Sequence, residues 1–361
     1  MAPRLADPLP MPRGPAIGNR IWLAPLTNWQ SHADGTLGED EYHWLMRRAE
    51  GGFGLTMTCA AHVHPAGQGF PGQLGAWSDA HLPGLRRLAD GIRAAGGVSS
   101  LQIQHSGWRA DPALTGGRPR VSPWPDEASG CRVMDTGEVE ALVEDFIAAA
   151  VRGATAGFDG VEVHGAHGYL LAQFQDVDRN QRADRYGGPF DNRVRVLDEI
   201  LAGIRARTPA GFQIGLRLSP EKGGLAIAES RRYAERVMSE GRVDYLDWSL
   251  WNVFKEPADP ALAGRPLIDW FTDIPRGPAC MGVAGRILDT ATAQACLDRG
   301  ADFVLVGRGA ILHADFARLA LADLAFQAVA RPVSRDWLAA QAVSPPFVHY
   351  LATTWKDFVA G

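Results

Sequence analysis

Cysteine is scarce in this chain: four in 361 residues, Cys59, Cys131, Cys280 and Cys296, with no CxxC pair and no metal-ligand spacing among them. That usage fits free thiols in a reducing compartment and points to the cytoplasm. Long hydrophobic runs are missing as well, since no apolar stretch approaches the ~20 residues a bilayer-spanning helix needs. The proline-rich start, MAPRLADPLPMPRGPAIGNR, lacks the apolar core of a signal peptide. A soluble, unsecreted protein is therefore expected, with no membrane partner. No charge of one sign dominates: 36 Lys and Arg against 41 Asp and Glu leave a net charge of -5. Without a basic stripe to follow a phosphate backbone, nucleic acid is not an expected partner. Low-complexity tracts and long linkers are absent too. What is present, 46% hydrophobic and 21% charged residues, suits a globular protein with a large core.

Length alone is compatible with two domains, so the order of elements decides. Short apolar runs recur at 20–27, 53–60, 98–105, 160–167, 212–219, 245–251, 279–285 and 303–309. Amphipathic stretches separate them near 39–50, 81–95, 138–157, 190–207, 226–240, 289–299 and 314–327. In the third of these, Val139, Leu142, Val143, Phe146, Ile147, Ala150 and Val151 share one helical face. Near-continuous apolar strands alternating with helices predict a parallel sheet covered by helices, and eight such units close most simply into a (β/α)8 TIM barrel. The rival is an open doubly wound sheet with a glycine-rich first turn. The one match, Gly67, Gly69 and Gly72, contains Pro71 and precedes no helical pattern, so it is read as a loop. A single barrel domain over 1–361 is predicted, with a long loop at 111–137 and a C-terminal tail from about 328 to 361.

Barrel enzymes build their sites at the carboxyl ends of the strands. There this sequence places Thr27, Gln102, His105, His164, His167, Arg217, Trp251, Gly285 and the Gly307–Arg308–Gly309 turn. Glycines before helix starts after strands seven and eight, with Arg308 as a fixed cation, suit a phosphate-bearing ligand. A lone histidine would more often be a satisfied core residue. Two of them, His164 and His167, at a strand mouth with Tyr169 close behind suit donors to a substrate oxygen beside a phenolic acid. Metal ligation has no completing set, so no metal is expected. Glu162 shares inward parity with His164 and is read as structural.

These residues resemble the Old Yellow Enzyme family of FMN-dependent oxidoreductases over nearly the whole chain. The similarity is carried by GFDGVEVHGAHGYLLAQF followed by NQRADRYGGPFDNRVRVLDEI, with NRIWLAPLT, LQIQHSG and ADFVLVGRG in order. The His-x-x-His spacing is similar to that of the bacterial, thermophilic-like branch. The resemblance implies an NAD(P)H-dependent ene-reductase with FMN as cofactor and NADPH or NADH as reductant. Its substrate would be a small α,β-unsaturated carbonyl compound. Pro25, Thr27, Ala60, Gln102 and Arg217 would contact the flavin ring, and Gly285, Gly307 and Arg308 its phosphate end. His164 and His167 would bind the carbonyl oxygen while hydride from N5 reaches the β-carbon, and Tyr169 would protonate the α-carbon.

Departures from the family pattern concern the pocket. Thr27 stands where that branch commonly has Cys, Trp29 where it often has Tyr, and Trp108 where the family usually has Arg. Trp29 and Trp251 are expected to wall the substrate pocket, and Trp22 and Trp248 to belong to the core. Strand six runs on through WNVFKEP, which would bring Phe254 and Lys255 toward the mouth. The aromatic tail SPPFVHYLATTWKDFV is expected to cap its own barrel, cover a pocket or reach a neighbouring subunit. A homodimer is an open expectation, because barrel relatives of this kind often pair. Two other chemistries compete: an FMN-dependent dehydrogenase or demethylase running oxidatively, and a flavin-free, metal-assisted barrel enzyme using His164 and His167.

Overall fold

A computed structural model describes residues 3–127 and 130–361. All eight expected strands form: β1 Ile21–Leu23, β2 Leu55–Met57, β3 Val98–Gln104, β4 Gly160–Gly165, β5 Gln213–Leu218, β6 Tyr245–Ser249, β7 Cys280–Ala284 and β8 Phe303–Val306. They pair in parallel around a closed ring, which is sealed where Ile21 meets Val304 and Leu55 meets Val98. Helices α1 Glu39–Ala49, α2 Leu82–Ala94, α3 Thr136–Ala156, α4 Arg195–Arg207, α5 Ile227–Ser239, α6 Thr290–Asp298 and α7 Phe316–Ala322 cover the outside. The fold is a (β/α)8 TIM barrel. Between β6 and β7 the crossover carries only short 3-10 turns, Pro260–Leu262 and Leu267–Trp270.

Local chemistry fixes the element ends. α3 begins two residues earlier than its apolar periodicity suggests, because Asp135 and Glu138 form a capping box with each other's backbone N–H groups. It stops at Gly157, which takes a left-handed φ of 94° that a Cβ would penalise. The apolar face of α3, from Val139 to Ala150, is buried against the sheet, each large side chain contributing ~2 kcal/mol. The stretch at 190–207 is broken at Val194 into a short helix, Phe190–Arg193, and α4. Within the loop expected at 111–137, Val121–Ser122 pairs with Arg132–Val133, so that span is partly ordered as a strand pair. Ala128 and Ser129 of that loop lie outside the described residues.

Two apolar layers result. One lies between sheet and helices; the other fills the barrel floor, where Trp22 stacks on Phe303 and meets the Tyr245 ring edge-on at 5.2 Å. These rings fit because the facing strand positions are Gly215 and Gly282. A Cβ at either would overlap Tyr245 or Phe303 respectively. The tail forms α8 Arg335–Ala340 and α9 Pro345–Thr354. Phe347 and Leu351 are fully buried, with Phe347 edge-on to Trp44 of α1 at 5.0 Å. The tail therefore packs on its own barrel. Among the described residues, no helix is long and apolar enough to cross a membrane.

Candidate active site

Alternation along neighbouring strands brings one layer of polar side chains into the barrel just below its mouth. Register sets Gln102 beside Glu162, His164 beside Arg217, and Arg217 beside Asp247. Gln102 Nε2 donates to Glu162 Oε1 at 2.6 Å. Arg217 Nε lies 3.0 Å from Asp247 Oδ2, a charge contact without hydrogen-bond alignment. Burial, reinforced by Asp247, pushes the Glu162 carboxyl up to about 8, and Arg217 only partly offsets this. Burial also raises Asp247, to about 6, against the pull of Arg217. At neutral pH the layer holds a protonated Glu162 beside an Arg217–Asp247 pair.

Above it, Ala166 N donates to His164 Nδ1 at 3.2 Å, which assigns the His164 proton to Nε2. That nitrogen lies 3.1 Å from His167 Nδ1, and His167 Nε2 lies 2.7 Å from Ser249 Oγ. Burial, then Arg217, brings His164 down to about 3. Burial, with His164 as its neighbour, holds His167 well below the usual range, so both rings are neutral. The two histidines were expected to aim together at a substrate oxygen; in the structure they contact each other, with Ser249 at the end of the chain. His167 adopts a left-handed φ of 59°. Both of its peptide groups are held, the N–H by Ser219 Oγ at 3.0 Å and the carbonyl by Arg109 Nη1 at 2.6 Å. Tyr169 packs edge-on to His164 at 5.1 Å, and burial raises its phenol, partly offset by Arg109.

These groups open onto a cavity of about 310 Å³ lined by Pro25, Leu26, Thr27, Ala60, Gln102, Arg109, His164, His167, Tyr169, Arg217, Trp251, Arg308, Tyr350 and Trp355. A neighbouring cavity of about 210 Å³ shares Pro25, Leu26, Arg217 and Arg308 with it and adds Ser249, Gly285, Arg286 and Gly307. Arg308 also faces a third, lined by Arg286, Arg331 and Lys356. Of the residues singled out by strand position, the structure gathers Thr27, Gln102, His164, His167, Arg217, Trp251, Gly285, Gly307 and Arg308 at one mouth, but not His105 or Gly309. Trp29 lies behind the mouth, its ring 5.2 Å from Tyr350, and does not line the cavity. His105 lines a separate cavity with His64 and Asp145. Lys255 is held by Glu221. Trp22 and Trp248 are fully buried, as expected of core residues.

Sequence reasoning missed Arg109, Ser249, Tyr350, Trp355, Arg286, Arg331 and Lys356. Ser249 had a signal, since it shares inward parity with Asp247 on β6. Tyr350, Trp355 and Lys356 lie in the aromatic tail that was expected to cap the barrel or cover a pocket, but no local pattern says where a tail docks; Arg331 had no signal.

Comparison with known proteins bears on what this mouth holds. The model of the NADH:flavin oxidoreductase / NADH oxidase family matches residues 7–325. The chain belongs to that family. It is 31% identical over 315 residues to an NADPH dehydrogenase of Listeria monocytogenes, covering 85% of this chain and 91% of the relative. It is 34% identical over 330 residues to an NADH:fumarate oxidoreductase of Klebsiella pneumoniae, 87% of this chain but only 35% of that longer protein. Among solved structures, an Old Yellow Enzyme homologue of Zymomonas mobilis matches with a TM-score of 0.79 at 26% identity, over 93% of this chain and 96% of the other.

The enzyme is an FMN-dependent NAD(P)H oxidoreductase of Old Yellow Enzyme type. The flavin-free alternative is overturned by the family match. The mouth suits FMN. Pro25, Leu26 and Ala60 offer an apolar wall, and Gln102 and Arg217 offer polar groups for a ring edge. Arg217 is anchored through Nε, 3.0 Å from Asp247 Oδ2, and lines the cavity, where its guanidinium can meet a ring edge. Arg308, with Arg286 and Arg331 beside it, supplies cations for a phosphate.

Proposed function

We propose that the enzyme is an ene-reductase that reduces the C=C bond of α,β-unsaturated carbonyl compounds, with NADPH or NADH as electron source. FMN, when bound, supplies the hydride for the β-carbon. Pro25, Thr27, Ala60, Gln102 and Arg217 would hold its ring, and Gly285, Gly307 and Arg308 its phosphate end. The observation that carries the reading is one cavity wall bearing His164, His167 and Tyr169, with both imidazoles neutral and the phenol protonated.

Each role follows from a stated atom. His164 Nε2 carries a proton directed at His167 Nδ1. Ser249 Oγ can donate to His167 Nε2 as readily as accept from it, which allows His167 to carry its proton on Nδ1. With a carbonyl oxygen between them, each ring would turn its N–H from the other onto that oxygen, where enolate charge develops as the β-carbon is reduced. Tyr169 holds its proton at neutral pH and gives it to the α-carbon. Trp251 forms part of the wall against which the substrate lies. The Arg217 guanidinium, above a neutral Glu162, favours a ring that gains negative charge on reduction.

The test is the visible absorption spectrum of the purified enzyme, followed anaerobically as NADPH and then an activated cyclic enone are added. Bleaching by NADPH and recovery with the enone is the expected result. Recovery only with a non-alkene acceptor, or bleaching by a saturated amine or ketone, would replace the reading with oxidative chemistry. Tyr169→Phe is expected to slow recovery by ~10²-fold or more and to leave bleaching nearly intact.

A further inference from the structure

The ionisable groups lining the substrate cavity are three arginines, two histidines and two tyrosines; no Asp or Glu is among them. In a chain of net charge -5 that is a local reversal of sign. Two of the arginines have evident partners: Arg217 faces Asp247, and Arg308 belongs to the phosphate end. Arg109 has no carboxylate partner among the described residues. One of its N–H groups reaches the His167 carbonyl, and its guanidinium lies 5.3 Å from the centre of the Tyr169 ring. A guanidinium has five N–H donors, so most of this one is uncommitted, beside the proton donor and on the carbonyl-binding side of the cavity. Lys222 continues the pattern at the rim. Its ammonium lies 5.8 Å from the ring of Trp251, which is 51% exposed, and it too has no ion pair among the described residues.

We infer that the substrate carries a carboxylate in addition to its activated alkene, and that Arg109 is the residue that selects it. This rests on the ene-reductase reading of the same cavity. Arg109 comes from the turn after β3, while His167 and Tyr169 follow β4, so an anion gripped by Arg109 sits beside the carbonyl-binding histidines rather than among the phosphate-end cations. The planar fork binds a carboxylate through two parallel hydrogen bonds and thereby sets the orientation of the alkene as well as its affinity. Lys222 and Arg109 together raise the local concentration of anions at the mouth.

The experiment uses the FMN-loaded enzyme and two substrates, cyclohexenone and the same ring bearing a carboxylate opposite the carbonyl. The wild type is expected to prefer the carboxylate in kcat/KM. In Arg109→Gln the ratio of the two kcat/KM values should fall by about ten- to a hundredfold, the range expected for a hydrogen-bonded charge. Arg109→Lys should restore part of it, and added salt should erode it in the wild type. An equal loss on both rings would confine Arg109 to holding His167 and overturn the inference. So would a loss confined to the NADPH half-reaction. Binding is read independently by tryptophan emission during titration with cyclohexanecarboxylate and with cyclohexanecarboxamide. If neither enone reoxidises the reduced enzyme, the ene-reductase reading falls. A carboxylate preference that disappears in Arg109→Gln would still establish the anion site, and equal binding of acid and amide would refute it.

Discussion

Glu162→Gln should make the enzyme more stable than the wild type as pH rises, although it alters a polar group at the centre of the barrel. Glu162 is fully buried, accepts one hydrogen bond from Gln102, and has its second carboxylate oxygen without a partner among the described residues. Burial and Asp247 hold its proton up to about 8, against an ordinary value of 4.5. At low pH folded and unfolded chains both carry that proton, and Glu162 costs nothing. Above the unfolded value the unfolded chain releases it while the fold retains it, so stability declines with pH until the folded group also ionises. The full displacement corresponds to an upper limit of about 5 kcal/mol. Local relaxation around the carboxyl reduces what is measurable to ~2–3 kcal/mol. Glutamine keeps the shape and an acceptor for Gln102 but has no proton to lose. In urea-unfolding series between about pH 5 and pH 8.5, the wild type should lose ground to the variant progressively. Parallel profiles would refute the argument, since they would mean that Glu162 is ionised and compensated in the fold.

Further tests bear on other parts of the structure. Ser249→Ala removes the group that lets His167 exchange its proton between ring nitrogens, so KM for an enone should rise ~10-fold while the rate of flavin reduction by NADPH stays close to wild type. Gly282→Ala drives a methyl group into the Phe303 ring and should cost ~2 kcal/mol or more in chemical denaturation. Phe347→Ala empties the contact with Trp44 and should cost ~3 kcal/mol, and because Tyr350 and Trp355 follow on the same tail, substrate affinity should weaken with it. Ending the chain at Ser344 with no effect on affinity would reduce the tail to a brace.

The barrel was legible because its physics is local. Strands buried on both faces read as near-continuous apolar runs, as CMGVA and FVLV do, and the helices between them repeat apolar residues at a helical period. The site was legible where function sits on strand ends, so Gln102, His164, His167 and Arg217 followed from position alone. Arg109 was hidden because it stands one residue beyond the place where the family pattern puts an arginine, behind Trp108. Trp29 was expected at the cavity wall because it stands where the similar branch often has Tyr, but it takes a left-handed φ of 59° and its ring packs on Tyr350. Tail docking depends on long-range packing of Phe347 and Leu351, which has no periodic signature.

The ring of strands closes by pairing β1 with β8, elements at opposite ends of the polypeptide. A chain emerging from the ribosome therefore carries an apolar sheet with two unpaired edges until Phe303–Val306 is available to join them. Before that moment the two walls of the mouth, Pro25 on one side and Arg308 on the other, have no fixed separation. Cofactor capture is thus an event of the completed fold, and such late, long-range closure implies slow folding and exposure to aggregation during synthesis.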